Sequence, residues 1–82
     1  MRTIAELPHP DCKITIFSMN QKFIIKIEQG SLEQSYKIPE LDVTDGVNGV
    51  FQLIDETFIN NVLSHFKTMM TSFKDTYNRH EF

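Results

Sequence analysis

His9-Pro10-Asp11-Cys12 sets an imidazole, a carboxylate and a thiol within four consecutive residues. Zn²⁺ accepts all three as ligands, and a thiol with a histidine base is what a nucleophilic cysteine needs. His65 is a second candidate base further along the chain. Neither chemistry is well supported by spacing. Structural zinc sites usually carry paired Cys or His ligands at short intervals, and this chain has no C-x-x-C and no H-x₃-H. Strand geometry sends Asp11 and Cys12 to opposite faces. Cys12 falls on the side read below as core, where a thiol behaves as a small hydrophobe. His65 is read as bordering the apolar stripe of a helix. The segment therefore reads as a turn followed by a buried cysteine, with no cofactor. His9, Asp11 and Cys12 are the weak candidates for the alternative, a metal-binding or thiol-dependent enzyme.

Other chemistries leave less trace. The chain shows no Ser/His/Asp signature, Gly-rich phosphate loop or H-E-x-x-H motif. Gly30, Gly46 and Gly49 are scattered, and none follows a strand and opens a helix. Nucleic-acid binding is disfavoured by a formal net charge of -3. Lys13, Lys22, Lys26 and Lys37 do share one side of the expected sheet, a weak nucleic-acid alternative, but Glu28 and Glu33 interrupt them.

The 82 residues are 40% hydrophobic and 23% charged, with a single cysteine. That apolar fraction is too high for a disordered chain, and one cysteine excludes an intramolecular disulfide framework. No apolar run approaches the roughly 20 residues that span a bilayer, so no membrane partner is expected. Met1 to Pro10 contain no apolar core of a secretory signal, which points to the cytoplasm. A domain near this size buries only about 60% of its unfolded surface. Little chain is left to build a deep cleft, and association is a natural source of further burial.

The hydrophobic period changes along the chain. Residues 1–11 read as an N-terminal arm. From Cys12 to Ile38 apolar residues alternate, as half-buried strands require. Cys12 to Met19, Lys22 to Gln29 and Leu32 to Ile38 form three strands of a meander, joined by tight turns at Asn20-Gln21 and near Gly30. A two-residue loop at Asn20-Gln21 opposes Ile14 to Ile27, Ile16 to Ile25 and Ser18 to Phe23 on the core face. Lys13 then meets Glu28 on the other. For the second hairpin, a Gln29-Gly30 loop sets Lys26 across from Glu33. It is preferred to Gly30-Ser31, which would oppose Glu28 to Glu33. Gln34 is a polar misfit on the core side.

Pro39 ends the third strand. The connector, 39–54, is read as a short helix from about Asp45 to Leu53, with a turn and fourth strand over Asn48 to Ile54 as the alternative. The segment 55–78 is a helix capped by Asp55, followed by a tail at 79–82. Phe58, Ile59, Val62, Leu63, Phe66, Met69, Met70, Phe73 and Tyr77 fall within an arc of roughly 140°. Such a stripe needs a flat apolar partner, which the sheet provides. The fold class is α+β, a two-layer single domain of a three-stranded antiparallel meander and a long C-terminal helix.

The face of the sheet turned away from that helix carries Phe17, Met19 and Ile24. Phe17 and Ile24 are cross-strand neighbours, rimmed by lysines, as expected of a contact surface. The competing reading folds the N-terminal arm over them through Ile4 and Leu7, or the segment from Leu41 to Ile54. The functional expectation is a small non-enzymatic module that self-associates or docks on a larger protein, through this face or through an edge of the sheet.

Overall fold

In the computed structural model, which describes residues 1–80, four antiparallel strands form a meander: β1 (Arg2–Leu7), β2 (Lys13–Met19), β3 (Lys22–Gln29) and β4 (Leu32–Pro39). A 3-10 turn (Glu40–Asp42) and a short helix, α1 (Val47–Leu53), lead to the long helix α2 (Glu56–Arg79). The α+β class holds. The sheet, however, has four strands rather than three, because the N-terminal arm is itself an edge strand. Ile4 and Leu7 lie three residues apart, so a regular strand would send them to opposite faces. An irregularity in the β1–β2 register between Thr3 and Ala5 resolves this, and both side chains pack on the core. The arm therefore extends the sheet sideways and does not cover its outer face.

The β2–β3 register is the expected one. Ile14 opposes Ile27, Ile16 opposes Ile25, Ser18 opposes Phe23, and Lys13 opposes Glu28. Asn20 and Gln21 adopt positive φ angles of 52° and 63°, the backbone of a type I′ turn matched to strand twist. The second hairpin differs from expectation. Its loop is Gly30-Ser31, which places Glu28 opposite Glu33. Two observations explain this register. Gly30, at φ 59°, supplies the left-handed first position that a II′-type loop requires. Lys26 lies between the two carboxylates, 3.9 Å from Glu28 and 3.5 Å from Glu33, and offsets their repulsion.

Ile14, Ile16, Phe23, Ile25 and Ile27 from the sheet close on Val50 of α1 and on Val62 and Phe66 of α2. Gln34 is held on this side by two hydrogen bonds. Its amide Nε2 donates to the Val62 carbonyl at 2.9 Å, and its Oε1 accepts from the Tyr36 hydroxyl. A half-buried polar group that would otherwise cost stability instead ties β4 to α2. Between them, α1 is a helix and not a fourth strand. Asp45 and Gly46 turn with positive φ, and Val50 is fully buried.

Asp55 caps α2 as its sequence position implies, its Oδ1 accepting from the Phe58 amide at 2.8 Å. The helix continues through Arg79, one residue past the expected end; Glu81 and Phe82, in the expected tail, lie outside the described residues. The stripe does not seat along its whole length. Twenty-four helical residues run about 36 Å, whereas the eight of β4 reach only about 27 Å. With Val62 tied to Gln34, the last turns overhang the sheet. Phe73 is 56% exposed and Tyr77 52%, their rings 6.4 Å apart. The overhang also accounts for a radius of gyration of 14.8 Å, against about 12 Å for a compact chain of this length.

Candidate interaction surface

The His9-Asp11-Cys12 segment forms the connection between β1 and β2. The Asp11 amide donates to His9 Nδ1 at 3.1 Å, so the imidazole is engaged in closing the turn. Burial pushes the Cys12 thiol upward from its usual pKa, with the nearby Asp11 carboxylate adding to the shift. A thiolate nucleophile or zinc ligand needs the opposite displacement. His65 does not border the core as expected but is exposed on α2, because the helix lies over β4 at the side of the sheet. No group of three His, Cys, Asp or Glu able to hold a metal occurs among the described residues.

On the outer face the parity is as expected: Phe17 opposes Ile24. Neither the N-terminal arm nor the connector supplies a second layer here. The apolar residues of this face are nonetheless little exposed. Ile24 is only 7% exposed, and Phe17 and Met19 are partly buried. Thr15, between Glu6 and Lys26 in the register, is likewise buried. The stems of long lysines cover apolar neighbours while their ammonium groups stay wet. Lys13 reaches Glu6 at 4.0 Å, and Lys26 is shared by Glu28 and Glu33. Two of the four lysines of the stripe thus face carboxylates, which weakens it as a track for a phosphate backbone.

The β4 edge presents a regular accessible strand. Glu33, Ser35, Lys37 and Pro39 are exposed in strict alternation with half-buried Leu32, Gln34, Tyr36 and Ile38. Beside this edge lies an open groove of about 480 Å³, lined by Ser35, Tyr36, Lys37, Ile38, Leu53 and Phe58, with Ile25 at its base. Tyr36 and Phe58 meet edge-to-face at 5.3 Å and form its firm wall. Leu53, 48% exposed at the end of α1, forms its lip. The groove was not anticipated from sequence, since it needs α1, β4 and the start of α2 to converge. The edge itself was expected, because the last strand of a meander is left unpaired on one side. Ile24 lies directly across from Lys37, so the outer-face cluster runs up to this edge.

No family model, curated protein or solved structure matches the chain, and its function is therefore read from this geometry. No helix among the described residues is long and apolar enough to cross a membrane.

Proposed function

We propose that the chain is a small non-enzymatic protein-interaction module that docks a partner along the β4 edge of its sheet. One observation carries this reading: a regular, exposed edge strand runs alongside an open apolar groove walled by Tyr36, Phe58 and Leu53. In strand addition, backbone hydrogen bonds provide affinity while pockets take alternate side chains of the incoming strand. The β4 edge offers both parts. On the outer face Ile24, opposite Lys37 and only 7% exposed, backs this edge, while Phe17 and Met19 lie further inside the sheet and stay partly buried. At the other side of the sheet, the register irregularity in β1 interrupts the row of backbone groups and blunts that edge.

Photo-crosslinking in cells tests the reading. A crosslinking amino acid at Ser35 is expected to form a covalent adduct with a polypeptide, whereas one at Thr71, exposed on the far side of α2, is not. Equal yields at the two positions, or no adduct at Ser35, would overturn it.

A further inference from the structure

We propose that the β4 edge pairs with the β4 edge of a second copy of this chain, antiparallel and about a two-fold axis at Ser35, joining two sheets into one. This rests on the edge-docking reading and names its partner.

The hairpin decides which backbone groups face outward. Gln29 and Leu32 flank a two-residue loop and so form a hydrogen-bonded pair. Alternation from there directs the N–H and C=O groups of Leu32, Gln34, Tyr36 and Ile38 toward β3. Those of Glu33, Ser35 and Lys37 point away from the sheet. A two-fold axis at Ser35 sets Ser35 against Ser35 and Glu33 against Lys37 twice. Three hydrogen-bonded pairs, each exchanging two bonds, give about six across the junction, within the scatter of specific interfaces.

The side chains complement one another in the same register. On the outer face, two Glu33–Lys37 pairs bring opposite charges together. On the helix side, Leu32 faces Ile38 and Gln34 faces Tyr36, so an apolar side chain from each copy enters the other's groove. The result is isologous and self-closing. Neighbouring registers lose these features. Centring on Gln34 leaves Glu33 against Ser35 and Lys37 against Ser31, with no charge pair. Centring on Tyr36 sets Glu33 against Pro39, which has no N–H to give. Centring on Lys37 sets like charges together.

Above the sheet, α2 turns its Phe58 flank toward this edge, as the Tyr36–Phe58 contact shows. Asn61 and His65 follow Phe58 by three and seven residues and share that flank. No Lys, Arg, Asp or Glu occurs between Glu56 and Lys67. Two such helices approach across the two-fold axis without opposed like charges.

Sedimentation equilibrium on the full chain, across a concentration series, is expected to show twice the 9.6 kDa chain mass. Lys37→Glu or Glu33→Lys places like charges opposite each other twice and is expected to weaken association about tenfold. Glu33→Lys combined with Lys37→Glu is expected to restore it. The Lys26–Glu33 contact of 3.5 Å is lost in both Glu33→Lys and the double variant, so restoration isolates the cross-copy pairing. Circular dichroism confirms that each variant is folded. The chain mass at every concentration, or a dimer indifferent to the single reversals, or failure of the double variant to recover, would overturn the second-copy pairing. A monomer that crosslinks from Ser35 to a polypeptide of another mass refutes the pairing and keeps the edge-docking reading. A monomer with no adduct refutes both.

Discussion

Phe66→Ala is expected to destabilise the fold by about 3–5 kcal/mol, whereas Phe73→Ala, on the same stripe two turns later, is expected to change it by no more than about 0.5 kcal/mol. The residue type and the helix are the same; burial differs. Phe66 is 1% exposed and is the largest fully buried side chain among the described residues. Its removal leaves a cavity in the core cluster shared by the sheet isoleucines, Val50 and Val62, which a small domain has little means to close. Phe73 lies beyond the end of the sheet, and truncation there removes surface already in contact with water. A chain of this length has a total stability of only about 4–12 kcal/mol. Loss of Phe66 therefore lowers the thermal midpoint by at least about 12 °C or abolishes folding. Thermal melts of the two variants beside the parent check this.

Gly49→Ala is the second large effect, expected to cost about 1–3 kcal/mol although alanine is the better helix former. Within an exposed helix the exchange would be worth nearly 1 kcal/mol in the opposite direction. Gly49 is buried in α1 against the segment that precedes it. A Cβ there would be driven into the Thr44 carbonyl oxygen and the Val43 side chain. One of these is backbone and cannot swing aside, so α1 would have to lift from Val50's seat on the core. Because Leu53 at the end of α1 forms the lip of the β4 groove, the substitution should also perturb that surface. Urea titration gives the sign: a stabilised Gly49→Ala would show that α1 does not pack as described.

The contrast between these residues explains what could be read from sequence and what could not. The faces of β2 and β3 were legible because strict alternation and a two-residue loop at Asn20-Gln21 leave one register that buries the isoleucines. Strand β1 was not, because its two core residues, Ile4 and Leu7, are spaced for no regular strand and only the irregularity after Thr3 brings them to one face. The second hairpin misled through a pairwise rule. Opposed Glu28 and Glu33 count as unfavourable in isolation, but Lys26 reaches both, and the left-handed backbone at Gly30 fixes the loop.

The helix stripe identified which side of α2 is apolar but carried no information on how far the sheet extends beneath it. Phe73 and Tyr77 belong to the stripe and not to the core. His65 moved to the surface for a related reason, since its exposure depends on α2 lying over β4. For the candidate site, the unpaired edge and the apolar cluster around Phe17 and Ile24 were both visible in the pattern. The groove between Tyr36, Phe58 and Leu53 emerges only when three segments distant in sequence are brought together.

Amide hydrogen exchange, resolved by residue and followed at rising chain concentration, reads the β4 edge most directly. The Gln34, Tyr36 and Ile38 amides are bonded to β3 and should be protected at every concentration, while those of Glu33, Ser35 and Lys37 should gain protection as copies associate. Exchange at Ser35 that stays at the open-chain rate in the most concentrated sample would contradict the pairing of β4 with its own copy.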